Sequence, residues 1–436
     1  MSQIAVAGRA MESFVIEGAR PLNGRIEAAG NKNGALPILA ACILTEEPVT
    51  LANVPHIRDV ETMMELLVDL GAEVDWIGRN EVRVQAADLG SHELDPHLSS
   101  RIRASFLLAG PLLARLRRAS VPPPGGDVIG RRRLDPHVHA LAELGAAIEM
   151  NGRYEMTTDG LRGTSIFLEE ASVMATENTI MAASLAAGAT VVGNAACEPH
   201  VQDLCRFLVS LGARIEGIGS NVLRIEGVER LSGGEWSIAP DHIEVASFIG
   251  LAAVTGGDVT IEDVVPEDLV PILPAFARLG LQIEVTDSSV RVPPDQALLI
   301  RDDLGGQIPK LEDGPWPAFP ADLTSIALAV ATQASGTILI FEKMFENRLF
   351  FVDKLVSMGA RIILCDPHRA IVAGPSKLYG QQMASPDIRA GMAMLIAALC
   401  ATGTSTIGNV GEIDRGYERI DERLRSLGAQ IERVDA

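Results

Sequence analysis

The stretch VQDLCRFLVSLGARIEGIG (201–219) holds three signals in a row. In VQDLCRFLVSL the apolar residues fall three and four apart, the spacing of one helix face. The following Gly212 stops the helix, because glycine takes the left-handed conformation cheaply. ARIEGIG then alternates, as a half-buried strand does. The same signature returns along the chain as LGAEV at Leu70, LGAAI at Leu144, LGARI at Leu211, LGLQI at Leu279, MGARI at Met358 and LGAQI at Leu427, at steps of 74, 67, 68, 79 and 69 residues. Near-copies this evenly spaced are repeats of one structural unit.

Each unit also carries an earlier segment of small apolar residues: ALPILAACIL, ASFLLAGPLLA, NTIMAASLAA, VASFIGLAAV, SIALAVATQA and AGMAMLIAALCA. A helix that is apolar all round must be enclosed. A Gly-rich turn and a β-branched strand follow most of them, as in GATVVGNA, GGDVTIEDV and GTILIFE. The unit therefore reads strand–helix–strand–helix–strand, with one buried and one amphipathic helix. The period exceeds that of common solenoid repeats, and buried helices need cover on every side. This favours two pseudo-threefold α/β domains of three units each, inner helices packed under outer sheets, with ligands bound between the domains.

Composition agrees and excludes. A chain of 436 residues is too long for one hydrophobic core. With 47% apolar and 22% charged residues it is globular, and with only 4% aromatic residues its cores must be aliphatic. A net charge of -20 argues against nucleic-acid or anionic-membrane partners, though not against a small anion held in one basic site. No apolar run is long enough to span a bilayer, and MSQIAVAGRAMESF lacks the apolar stretch of a signal peptide, so a cytoplasmic protein is expected. The five cysteines form no CxxC pair and read as reduced thiols. The histidines form no ligand set. His137 and His139 diverge around a helix and read as surface residues. No metal site is read from them.

Four groups of residues could carry chemistry. In AAGNKNGALP (28–37), Lys32 and Asn33 precede a buried helix, whose N-terminus suits an anion. An exposed lysine in a capping turn is the plain alternative. VPPPGGDVIGRRRLDPH (121–137) is a Pro-Gly loop in which Gly125 and Gly126 could hinge a lid; Asp127 beside Arg131, Arg132 and Arg133 is an acid–base group or an ion-pair partner. Arg103, Arg348, Arg389 and Arg415 stand before helices or in turns of different units, where guanidinium groups could grip carboxylate or phosphate. In GPWPAFPADLTS (314–325), Asp322 leads into a buried helix, as an N-cap, as a general base, or as both. No phosphate-binding loop, dinucleotide fingerprint or nucleophile elbow appears. The residues thus reach an Arg-rich site for small anions and do not name the reaction.

Together the motifs NKNGALP, RASFLLAGP, PGGDVIGRR, FENR, PDIRAG and IDRGYERI resemble those of the UDP-N-acetylglucosamine 1-carboxyvinyltransferase family of enolpyruvyl transferases, in order, from about residue 12 to the C-terminus. The related shikimate-phosphate enzymes normally carry Lys-Ser where this chain has Lys32-Asn33. The resemblance implies two inside-out α/β-barrel-like domains, each of three βαβαββ-type units, with the active site in the interdomain cleft. One domain would combine residues 1–32 with 241–436; the other would be 33–240. It implies a monomer without metal or cofactor, joining phosphoenolpyruvate to the 3′-hydroxyl of UDP-N-acetylglucosamine with release of phosphate.

By the same resemblance, Lys32, Asn33, Arg132, Arg348, Arg389 and Arg415 would hold phosphoenolpyruvate, with Lys32 and Arg415 acting on the reacting charge. Asp322 would accept the sugar hydroxyl proton. Asn33, Arg103, Arg132, Arg133, Leu134, Asp135, Pro136, Glu170, Ala171, Ser172, Val173, Asp322 and Met344 would line the UDP-sugar site. Asp127 would protonate the methylene carbon, a position that is cysteine in many members and aspartate in some. Resistance to fosfomycin is expected, since that epoxide is trapped by a thiolate.

Other departures bear on the acceptor. Met174 stands where glycine is common, Ala246-Ser247 where Gly-Thr is usual, His200 where an acid is common, and Glu412 where histidine is frequent. They leave open a paralogue acting on another nucleotide or on shikimate 3-phosphate. A non-catalytic UDP-sugar sensor is the alternative of another class, and it would be expected to lose Lys32, Asp127, Arg132, Asp322 and Arg415 first.

Overall fold

The computed structural model describes residues 12–127 and 129–435. The chain divides into two compact units. Among the described residues, one holds 12–27, Ile243–Asp313 and 319–435; the other holds Ala28–His242 and the short segment Gly314–Ala318.

Each unit contains three sheets of one design. The sheet containing the opening stretch shows it. Edge strand Ser165–Phe167 runs parallel to Ala189–Gly193, which pairs antiparallel with Val222–Glu226, which pairs antiparallel with Arg214–Glu216. The inner helix Val173–Ala183 fills the parallel crossover, and Pro199–Ser210 leads into the hairpin. The order is strand, helix, strand, helix, strand, strand. Ile166, Val192, Leu223 and Ile225 all face the core, as a side-chain period of two requires. Four further sheets repeat one parallel pair and two antiparallel pairs. The sixth, Arg118–Val121 with Tyr154–Thr157 and Ala147–Met150, has three strands; a parallel bridge from Glu93 to Ser120 stands where the edge strand would be.

Strands distant in sequence complete three of the sheets. Glu12–Glu17 lies between Thr404–Gly408 and Gln430–Asp435, Gly234–Ser237 pairs with Val49–Ala52, and Gly24–Glu27 lies beside Val259–Glu262. The first pairing fastens the N-terminal segment into the unit that holds the C-terminus.

The glycine of every signature has a positive φ: Gly71 +103°, Gly145 +99°, Gly212 +105°, Gly280 +90°, Gly359 +107° and Gly428 +96°. A side chain there would force the backbone into a region costing roughly 1–2 kcal/mol.

The inner helices are buried on all sides, as their composition demands. Every residue from Ala175 to Ala183 is buried, and so is every residue from Thr324 to Ala331. Small residues let them approach. A Cβ on Gly110 would fall 2.5 Å from the Asn178 carbonyl oxygen, and one on Gly250 would fall 2.9 Å from Val330 Cγ2. Among the described residues no helix is long and apolar enough to cross a membrane.

Candidate functional site

In the unit containing Ala28–His242, helix Lys32–Ala41 begins two residues earlier than its sequence suggests. Lys32 and Asn33 are its first two residues. The cap is Asn31, whose side chain accepts from the Asn33 and Gly34 N–H groups at 2.8 and 3.2 Å. Lys32 is not an exposed lysine. It is buried, and its Nζ lies 2.7 Å from Asp59 Oδ2, also buried.

A second patch of this unit gathers the Pro-Gly loop and its neighbours. Arg103 donates through Nη2 to the Arg132 carbonyl at 2.6 Å and to that of Arg133 at 3.4 Å. Burial pulls its guanidinium below the usual arginine range, against the opposing charge of Tyr154. Gly125 is a close-approach glycine: a Cβ there would fall 1.7 Å from the Ser100 carbonyl oxygen. Its N–H donates to the Ser99 carbonyl at 3.1 Å. Next to it, a Cβ on Gly126 would meet Arg103 at 3.1 Å, so half-buried Asp127 follows directly on the Arg103 contact.

Arg133 pairs with Asp135 at 3.1 Å on the surface, in the field of Glu169 and Glu170. Leu134 precedes helix Asp135–Glu143, whose second residue, Pro136, is buried. The Glu170 carbonyl accepts from the Ser172 N–H at 2.7 Å, and Ser172 caps helix Val173–Ala183. Arg103, Arg132, Arg133, Asp135 and Glu170 therefore share one neighbourhood. Ala171 and Val173 are half-buried beside it, and both Val173 and Met174 pack against the core.

His137 corrects the surface reading. It is buried edge-on to Phe106, and its Nδ1 lies 2.9 Å from Asn178 Nδ2. Asn178 Oδ1 accepts from the Gly110 N–H, so its amide nitrogen is the donor and His137 Nδ1 the acceptor. Burial, with a smaller effect of Arg103, holds His137 down at about 3, so the ring is neutral. His139 is exposed, as read.

In the other unit the centre is Asp322. It does not cap the buried helix: Leu323 occupies the cap position of Thr324–Ala331, with no side-chain cap bond. The carboxylate is instead held by two buried arginines. Arg348 Nη2 donates to Oδ1 at 2.8 Å; Arg389 Nε and Nη2 donate to Oδ2 at 3.2 and 3.0 Å. Arg389 also donates to the Tyr417 hydroxyl at 3.2 Å, which lies 3.0 Å from Ser247 Oγ. Asp387, which caps helix Ile388–Cys400 by accepting from the Arg389 and Ala390 N–H groups, fixes the start of that helix and hence where Arg389 stands.

Arg348 stacks on Phe345 at 5.2 Å. Its other neighbour is Glu342, fully buried, whose carboxyl is pushed up to about 8, mostly by burial. Met344 is half-buried, its N–H donating to buried Asp313 at 3.3 Å. Arg415 pairs with Glu412 at 2.7 Å.

One unit offers a carboxylate under two fixed guanidinium groups; the other holds its own arginines and a buried lysine. Cations held rigid in this way suit an anion whose charge changes during reaction. Sequence reasoning did not single out Asp59, Glu342, Asp313 and Tyr417, which the structure places beside these residues. Glu342 was visible in principle, as the single acid ending the apolar run GTILIFE. Asp59 was visible only as one charge among several at the start of an amphipathic helix.

Residues 16–424 match the EPSP synthase (3-phosphoshikimate 1-carboxyvinyltransferase) family. A UDP-N-acetylglucosamine 1-carboxyvinyltransferase of Bradyrhizobium diazoefficiens is 59% identical over 421 residues, covering 97% of this chain and 98% of its own. That of Treponema denticola is 54% identical over 422 residues, covering 97% and 99%. Two solved structures share the fold. The enolpyruvyl transferase NikO from Streptomyces tendae has a TM-score of 0.88 at 23% identity, covering 98% of this chain and 100% of its own. An EPSP synthase from Acinetobacter baumannii has a TM-score of 0.75 at 18% identity, covering 97% and 100%. With a sixfold-repeated α/β fold and relatives this similar over nearly its whole length, the chain belongs to the UDP-N-acetylglucosamine 1-carboxyvinyltransferase family of enolpyruvyl transferases.

Proposed function

We propose that this protein transfers the enolpyruvyl group of phosphoenolpyruvate to the 3′-hydroxyl of UDP-N-acetylglucosamine and releases phosphate, the first committed step of peptidoglycan precursor synthesis. The observation that carries this reading is the Asp322 carboxylate clamped by Arg348 and Arg389. A proton acceptor beside two anion-binding groups is what attack of a hydroxyl on an anionic enol ester needs.

In this reading Asp322 takes the proton of the sugar hydroxyl as its oxygen bonds to carbon 2. Asp127 delivers a proton to carbon 3. The adduct then returns a proton from carbon 3, the carbon–phosphate oxygen bond breaks, and phosphate leaves with that electron pair. Lys32, Asn33, Arg132 and Arg415 bind the phosphate end, Arg348 and Arg389 the carboxylate. Arg103, Arg132 to Pro136, Glu170 to Val173 and Met344 bind the UDP-sugar.

Met174 packs against the core of its unit, which supports an acceptor site left unchanged by its bulk. Phosphate release from phosphoenolpyruvate, assayed with UDP-N-acetylglucosamine, other nucleotides and shikimate 3-phosphate, tests the reading. Turnover is expected only with UDP-N-acetylglucosamine. Turnover with another acceptor alone would keep the chemistry and move the substrate; none at all, with tight UDP-sugar binding, would leave a sensor.

A further inference from the structure

Arg348 stands between two carboxyl groups. Its Nη2 donates to Asp322 Oδ1 at 2.8 Å, while its Nε lies 3.9 Å from Glu342 Oε2. The second separation is too long for a hydrogen bond, and neither Nε nor Oε2 has a hydrogen-bond partner among the described residues. Glu342 follows strand Gly336–Phe341 and is wholly inaccessible to solvent. Its Oε1 accepts from the Phe345 N–H at 3.2 Å, which aims the carboxyl at the guanidinium stacked on the Phe345 ring.

We infer, on the enolpyruvyl-transfer reading above, that Glu342 is a positioning residue: facing the inner edge of Arg348, it sets how much of that cation is offered to Asp322 and to the phosphoenolpyruvate anion. With no hydrogen bond between them, the pull of Glu342 on Arg348 is coulombic and depends on whether the carboxyl is ionised. Burial, opposed by the attraction of Arg348 and helped by neighbouring Asp313, raises it to about 8. Below that pH the carboxyl is neutral and Arg348 faces outward with its full charge. Above it the carboxylate draws the guanidinium inward.

The groups around Glu342 are few. Arg348 and Asp313 carry charge, Thr324 neighbours it from the buried helix, and His368 Nδ1 lies 2.7 Å from its carbonyl. Lys343, next in sequence, pairs with Glu312, and Asp322 with Arg389 lies beyond Arg348.

The test is the KM for phosphoenolpyruvate in the phosphate-release assay between about pH 7 and about pH 9. It should rise about tenfold in the wild type, as one ionisation centred near 8 dictates, with kcat changing less. Glu342→Gln, nearly isosteric and permanently neutral, should hold the low-pH value throughout. Asp313→Asn removes the carboxylate that helps raise Glu342 and should move the rise to lower pH. A rise of the same size and midpoint in Glu342→Gln overturns the inference and leaves the transfer reading standing. Wild-type protein that releases no phosphate at any pH overturns both. If Glu342→Gln does not fold, Asp313→Asn decides, and an unmoved midpoint overturns the inference.

Discussion

Arg389 grips Asp322 with two donors on one oxygen: Nε at 3.2 Å and Nη2 at 3.0 Å both meet Oδ2. Arg348 takes the other oxygen at 2.8 Å. Three donors from two arginines fix the plane and the orientation of the carboxylate. Asp322→Asn retains the shape and removes the basicity. Phosphate release should fall about 10²–10⁴-fold with UDP-sugar affinity changed little, measured by steady-state kinetics and calorimetry. Activity within tenfold of wild type would remove Asp322 from the role of base.

Lys32 and Asp59 make a buried pair, and their single and double substitutions separate stability from chemistry. Asp59→Asn strands a buried ammonium and should cost about 3–5 kcal/mol in urea unfolding. Replacing the pair together with Met and Leu should recover most of that stability, because well-packed apolar residues often substitute for buried ion pairs. Turnover should not recover, since the proposed phosphate contact is gone. Recovery of both would make the pair purely structural.

Much of this fold was legible in the chain, and the reason is physical. A helix stop that needs a positive φ admits few residues, so Gly71, Gly145, Gly212, Gly280, Gly359 and Gly428 mark the six units openly. Enclosed helices also declare themselves, by having no polar face. The three-stranded sheet did not, because a bridge at Glu93 leaves no strand-length pattern. The site was half legible. Arginines at unit starts stood out by charge, but what each one meets is a tertiary fact. Asp322 looked like a helix cap because acids before buried helices usually are. Only the return of Arg348 and Arg389 from later units gives it another use. His137 misled for the converse reason: its buried partner Asn178 lies 41 residues away.

The signature glycines allow a clean test of backbone cost. A Cβ on Gly212 would meet nothing within 4 Å, so only its φ of +105° opposes a side chain. Gly212→Ala should destabilise the protein by about 1–2 kcal/mol, and Gly212→Asn by less, since asparagine tolerates the left-handed region better. Thermal unfolding of the two variants side by side checks this. Equal losses would mean that packing, not φ, is decisive.

His137 gives the protein an acid-sensitive element. Its ring is held at about 3 in the folded chain, against an ordinary 6.5. Between those values the unfolded chain binds a proton that the folded chain does not. The contribution is therefore complete above about 6.5 and is lost progressively as pH falls toward 3. His137→Gln has no ring to protonate. Its urea-unfolding free energy should fall less steeply than wild type below about pH 6, the difference approaching 1.4 kcal/mol per pH unit. Parallel slopes would show that His137 is charged in the folded state.

Asp127 is expected to set the response to fosfomycin. A carboxylate is a poorer nucleophile toward an epoxide than a thiolate, and in the proposed cycle Asp127 works as a proton carrier, not a nucleophile. The wild-type protein should keep its turnover in the presence of fosfomycin and show no mass increase. Asp127→Cys should gain one covalent adduct and lose activity with time, faster with UDP-N-acetylglucosamine bound if the acceptor brings the Pro-Gly loop onto the site. Intact-mass spectrometry with a parallel activity assay reads both. An adduct on the wild type would mean that another nucleophile reaches the epoxide, and position 127 would then not be what decides resistance.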